Sequence, residues 1–461
     1  MNRPCGLSTR EILCAAEVRA ALWPLPAARG PGRQGAAPQS PRRRQVIVTG
    51  AACSLWAGPA WLRWPGSAHA AAGAGTGPAG SAPVPLAPPQ PLQRLHVTAD
   101  GVLLGVAAAG ELWRHEDGGW RLAGAGVDPA APLASGHGRV VGRSREGGLW
   151  VLEAGRVSAH REPRLGLHAG LMVLAFGVIA VAGAHGGAHP VVRLEPGPDG
   201  RWIETARSAD PVLPDARPLP FDAGTGARDD SDGHVAVLAG PDRQRYRHAV
   251  LGDDVEATSV LVLDRHGLSV LARLDLPSPW VFEDIAPRPI AWRGRRALLT
   301  MRSGPQGGQL AVVAAGREPG RLELAALGEP IGSRHRWLSA STDGRRIVAV
   351  HTPHIGGILH RYRAAGKRLL AERLSAGVSN HVLGERELDI SAWVGPWLVL
   401  PSQDRRRLHV FDADAAPAAA LPPGVALPAP VRSLHRWALA GRTGVAVLMD
   451  DGAVGWWAAA A

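Results

Sequence analysis

Short apolar runs separated by turn residues recur from about residue 95 to the end of the chain. The stretch from Arg334 to His360 shows the unit. His335 to Ser341 reads as a half-buried strand, Thr342-Asp343-Gly344 supplies residues that tolerate a tight turn, and Arg346 to Val350 is β-branched enough for the next strand. Gly356-Gly357 then breaks the chain before Ile358 to Arg363, and Gly366 leads into Lys367 to Arg373. Four such strands form an antiparallel meander, which needs copies stacked on it before both faces are buried.

The copies carry two markers. Tryptophans precede or open the apolar second strand at Trp292, Trp337, Trp393 and Trp437, and His-Arg-Trp occurs at both 335 and 435. Double glycines stand before the third strand at Gly147-Gly148, Gly186-Gly187, Gly307-Gly308 and Gly356-Gly357. A recurrence of roughly 40 to 50 residues with four strands predicts an all-β fold, a β-propeller of four-stranded antiparallel blades. A β-sandwich is the alternative, but sandwiches show no such period.

Eight units follow in order: Leu95 to Leu122, Leu133 to Glu162, His168 to Ser208, Pro218 to Leu276, Pro289 to Leu327, Arg334 to Leu374, Leu388 to Leu427, and Leu434 to Ala461. The count falls to seven if the first or last is a half blade. The last shows only three strands, so its fourth is expected from the segment before Leu95, closing the ring. The fourth unit is interrupted between its second and third strands by Pro241 to Ala257, a charged hairpin. Insertions of that kind are where binding specificity tends to sit.

Ahead of residue 93 the pattern changes. Residues 71–92 are rich in Ala, Gly and Pro and read as a linker, while residues 1–70 read as a twin-arginine export signal. Arg42-Arg43-Arg44 precedes a moderately apolar stretch from Val46 to Leu62, and Ala68-His69-Ala70 offers a peptidase site. Pro59 and Arg63 argue against a stable membrane span. The expected location is the periplasm. Residues 1–70 also hold nine arginines and two glutamates, so of the formal charge of +11 only about +4 belongs to the propeller at 93–461 and the linker before it. A nucleic-acid partner is therefore not expected. Cys5, Cys14 and Cys53 all fall in the signal, which leaves the remainder without a thiol nucleophile, disulfide or cysteine metal site.

The order of second strand, loop and third strand, seen in Gly344 to Arg363, Asp232 to Gly240 and Gly395 to Asp414, resembles the FG-GAP or VCBS repeat family of extracellular propellers. The resemblance covers roughly residues 168 to 412 and implies an exported propeller. That family carries an Asp-x-Asp-x-Asp-Gly calcium loop before the strand. Only remnants stand here, Thr342-Asp343-Gly344 and Asp230-Ser231-Asp232-Gly233, and calcium is the one cation they bring into view. No cofactor and no metal are predicted.

Candidate chemistry is confined to a few loops. His351, His354 and His360 surround the Thr352-Pro353 turn and could bring two imidazoles together, although a solvated turn explains them as well. Asn380 and His381, with Glu385, Glu387 and Asp389, form a polar cluster in a passage between blades that could supply an acid or base. Arg245 and Tyr246 lie within the insertion. Nucleophile-elbow, phosphate-loop and dinucleotide motifs are all missing from the sequence. The chain thus reads as a non-catalytic module that binds a protein or small ligand in the periplasm. The alternative is an exported propeller enzyme, a hydrolase or a quinone-dependent dehydrogenase.

Overall fold

A computed structural model describes residues 82–221, 234–417 and 420–458. The proposed export signal lies outside them, as does Asp230-Ser231-Asp232-Gly233.

The described residues form eight four-stranded antiparallel blades and no helix. Blade 1 runs from Leu92–Val97 to Gly119–Gly124, blade 2 from Ala134–Gly136 to Arg156–Ala159, and blade 3 from Leu171–Leu174 to Trp202–Arg207. Blade 4 runs from Leu219–Phe221 to Val270–Asp275, blade 5 from Arg288–Trp292 to Leu322–Gly328, and blade 6 from Leu338–Thr342 to Arg368–Ala376. Blade 7 spans Ala392–Val394 to Gly424–Ala426, and blade 8 contributes Val431–Leu439, Arg442–Met449 and Val454–Trp457. Its fourth strand is Val84–Pro85, from the end of the Pro-rich linker, with Val84 opposite Trp456 and Pro85 opposite Gly455. Proline is tolerated there because the strand lies on an edge. The ring closes as the three-stranded last unit requires.

First strands pack on one another between blades 2 and 3, 7 and 8, and 8 and 1. Second strands are the most apolar, and Leu103–Ala107 and Gly177–Val181 are buried at every position. Tryptophans tie blades together through their indole N–H groups. Trp393 donates to Ser341 Oγ of blade 6 at 3.0 Å, and Trp437 of blade 8 donates to the Gly101 carbonyl of blade 1 at 3.0 Å. The recurring tryptophans are not equivalent in register: Trp292 ends its first strand, whereas Trp337 stands just before its own.

The double glycines do occupy one position, the second-to-third turn, and two reasons fix them there. Gly356 takes φ +65°, while a Cβ on Gly357 would lie 1.9 Å from the Val378 carbonyl oxygen. Gly147 takes φ +96°, and a Cβ on Gly148 would lie 1.7 Å from the His160 carbonyl oxygen. In these two pairs one glycine makes the turn and the next lets the passage to the following blade lie against it, whereas Gly186 and Gly187 both take positive φ in open space.

The Pro241 to Ala257 insertion departs from the expected hairpin. Its ends lengthen the strands His234–Asp242 and Glu256–Leu263, and the residues between are irregular. A short extra strand, Val281–Phe282, pairs with Ala257 on one side and with Arg302 and Ser303 on the other, joining blades 4 and 5 beside the insertion.

Candidate functional site

In a four-stranded meander successive connections alternate between the two ends of the strands. Second-to-third turns and passages between blades therefore emerge on the same face. This parity puts the insertion of blade 4, the His351 to His360 turn of blade 6 and the 377–391 passage into blade 7 on one face of the ring.

The insertion is held from within. The Asp242 carboxylate accepts the backbone N–H groups of Gln244 and Arg245, each at 2.7 Å. Arg245 in turn donates to the Leu276 carbonyl at 2.9 Å. Its guanidinium is a clamp on the blade 4 to 5 passage. Tyr246 is buried, and its hydroxyl accepts the His335 N–H at 2.8 Å; burial, with Glu283 nearby, pushes the phenol up to about 12. His248 Nδ1 lies 2.6 Å from Glu283, whose other oxygen accepts the Ser303 hydroxyl. The Trp337 indole donates to the Glu283 carbonyl at 3.1 Å. Below them Glu256 is buried among Glu283, Asp253, Asp215 and Asp284, and burial first, then those charges, raise its pKa well above the carboxylate range.

The 377–391 passage reaches across the axis to meet the insertion. Gly384 N–H donates to the Val250 carbonyl at 2.9 Å, and Arg386 bridges Asp215 at 2.8 Å and Asp253 at 2.7 Å. Ser339 of blade 6 donates to the Leu388 carbonyl at 2.6 Å. Asn380 is buried and donates to Asp389 at 3.0 Å. Burial raises the Asp389 carboxyl pKa, against hydrogen bonds from Ser391, Ser341 and Asn380.

The histidines of the blade 6 turn separate into two groups. His351 and His360 stack at 3.9 Å, and His351 Nε2 meets the Tyr362 hydroxyl at 2.6 Å. His354 instead pairs with His381 at 2.8 Å, against the Trp337 ring. Burial is the main cause of depressed pKa values in all of them. It takes His351 to about 3 with His360 adding, His354 to about 4 with His248 adding, and His381 to about 3 with His354 adding, and it lowers His360 without a resolved value. Among the described residues no three histidine, cysteine or carboxylate side chains gather as metal ligands. The Asp343 carboxylate, a remnant of the calcium loop, is occupied within its own turn by the N–H groups of Arg345 and Arg346 and by the Arg346 side chain.

Beside the crossing passage a cavity of about 630 Å³ opens on the same face. Its lining comes from blades 1, 7 and 8 and from the passages into blades 2, 3, 4 and 7, which can converge only at the axis. It includes Arg94, Arg217, Arg386, Arg405 and Arg432 together with Glu385, Glu387 and Asp450. Three large apolar side chains stand exposed on this face, Ile355 at 66%, Leu383 at 62% and Leu167 at 49%.

Of the residues singled out from sequence, Tyr246, His354, His381, Asn380 and Asp389 belong to this connected face. His351 stacks on His360 and meets the Tyr362 hydroxyl within blade 6, and Arg245 ties the insertion to the blade 4 to 5 passage. Sequence reasoning missed Arg94, Arg217 and Glu283, which sit in ordinary strand or passage positions with no motif around them, and did not single out Glu256 within the insertion it had marked. The only local hint was the density of polar residues from Asn380 to Asp389.

No family model matches the chain, and no curated protein matches its sequence. Solved structures do match in fold. Sqt1 of Saccharomyces cerevisiae aligns at 12% identity over 81% of this chain and 97% of its own, with a TM-score of 0.50. BamB from Moraxella catarrhalis aligns at 13% identity over 79% of this chain and 96% of its own, with a TM-score of 0.48. At such identities the likeness to Sqt1 concerns the β-propeller fold alone.

Proposed function

We propose that this propeller is a non-catalytic binding module that acts in the periplasm after twin-arginine export, in the manner of FG-GAP or VCBS propellers. Its contact surface is the face that carries the insertion. The observation behind this reading is the junction of Gly384 with Val250 and of Arg386 with Asp215 and Asp253, which makes one surface of loops from blades 3, 4 and 6. The titratable groups there are largely engaged with one another, as in His248 with Glu283 and His354 with His381, and Glu256 is buried beneath them. An acid or base for catalysis needs access to a substrate proton. Ile355 and Leu383 give the surface apolar anchors at its edge, the type of residue that supplies binding energy once desolvated.

Native mass spectrometry of the protein purified from its export compartment tests the reading. The expected result is a bare chain or a chain with a second polypeptide, and the complex is lost on Leu383→Asp or Ile355→Asp. Phe176→Asp, on the opposite face, leaves it intact. A chain that arrives carrying an organic cofactor overturns the proposal in favour of an enzyme.

A further inference from the structure

The axial cavity contains cationic groups that the protein itself leaves unanswered. Arg94 extends from the first strand of blade 1 and donates through one terminal nitrogen to the Ala130 carbonyl at 3.2 Å. Its Nε is withdrawn from solvent and has no partner. Arg217, on the passage into blade 4, donates to the Arg386 carbonyl and likewise has a buried Nε without a partner. Burial lowers the Arg94 pKa, with Glu387 opposing and the Arg217 charge adding. The carboxylates of Asp215 and Asp253 are already engaged by Arg386, and that of Asp450 by Arg405, so none of the three answers Arg94 or Arg217. A buried donor without a partner is destabilising, more so when the group is charged. Both arginines line the cavity, and among the described residues neither is in ion-pair contact with a carboxylate.

We propose that the cavity binds a small ligand through an anionic oxygen group, a carboxylate or a phosphate, held between Arg94 and Arg217. A planar guanidinium offers Nε and a terminal nitrogen in a fixed fork that fits two oxygens of such a group. Glu387 lines the same cavity and acts on the Arg94 charge, yet forms no ion pair with it. It is therefore the internal competitor of the ligand. The proposal rests on this face being the contact surface and specifies what its axial cavity takes.

The test is calorimetric titration of the full chain at low ionic strength with inorganic phosphate and, separately, with succinate. One of the two is expected to bind at a single saturable site, and the tighter one identifies the source chemistry. Arg94→Gln and Arg217→Gln are each expected to weaken it at least tenfold, Glu387→Gln to tighten it, and Arg156→Gln, exposed on the fourth strand of blade 2, to leave it unchanged. Near-UV circular dichroism checks folding. If a glutamine variant does not fold, Arg94→Lys and Arg217→Lys decide, since they keep the charge and remove the fork and are still expected to weaken binding. No saturation by either anion in the millimolar range, or affinity indifferent to Arg94, Arg217 and Glu387, overturns the proposal. Such a failure combined with loss of a protein partner on Leu383→Asp would leave the binding-module reading standing and remove only the anion.

Discussion

His381 shows how a buried side chain acquires a defined state. Its Nε2 lies 2.9 Å from the Glu385 carbonyl, which can only accept, so that nitrogen carries the proton. Nδ1 is then the acceptor for His354 Nε2–H at 2.8 Å, and both rings are neutral. With folded pKa values of about 3 and 4 against about 6.5 in an unfolded chain, their contribution is fully present above pH 6.5. As pH falls below that, the unfolded chain takes up protons that the folded one refuses. Stability should therefore drop by up to about 1.4 kcal/mol per pH unit for each histidine until about pH 4. Urea denaturation at pH 7 and pH 5 should show a shallower pH dependence for His381→Gln than for the wild type. His354→Ala, which leaves the buried Nδ1 without a donor, should cost about 1–3 kcal/mol at pH 7 in the same measurement.

At the scale of the element, the double glycine is the most telling unit, because its two members fail for different reasons. Gly356→Ala meets open space and suffers only the left-handed backbone, about 1–2 kcal/mol. Gly357→Ala drives a Cβ into the Val378 carbonyl, and the passage into blade 7 must move. That substitution should destabilise more than its neighbour, by about 3 kcal/mol or beyond, in side-by-side denaturant titrations. The passage it would disturb continues to Arg386, which keeps the carboxylate of Asp215, itself 3% exposed, from standing alone. Arg386→Gln should thus loosen both the passage and the insertion, and hydrogen exchange should rise at Val250 and Gly384 together.

For the whole molecule, closure by Val84–Pro85 covers the outer edge of Val454–Trp457. Removing residues 1–87 bares that edge, and exposed edges invite pairing with another chain. The shortened protein is expected to melt lower and to self-associate in light scattering, whereas a chain shortened only to residue 81 should stay as stable as the longer one. No helix among the described residues is long and apolar enough to cross a membrane.

The four-strand repeat and the site of the insertion could be read from the chain, because each depends on neighbours in sequence; the count stayed between eight and seven, and closure rests on Val84 meeting Trp456 from the far end of the chain. Alternation of apolar residues, turn-forming Asp-Gly pairs and double glycines act within a few positions and repeat with the blade. Blade limits inferred that way fall close to those observed: 218 to 276 against 219–275 in blade 4, and 289 to 327 against 288–328 in blade 5. Even the common face of the insertion and the blade 6 turn follows from strand parity once four strands per blade are granted. The irregular path of the insertion did not follow, since its conformation is imposed by Glu283, His335 and the 377–391 passage. Nor could the chain's pattern reveal that His354 would leave His351 for His381, or that Arg94 and Arg217 would share a cavity. Those groups come from distant blades and meet only because the ring brings every first strand and passage to one axis. Local pattern determines where strands lie, and three-dimensional closure alone decides which polar groups find partners and which are left waiting for one.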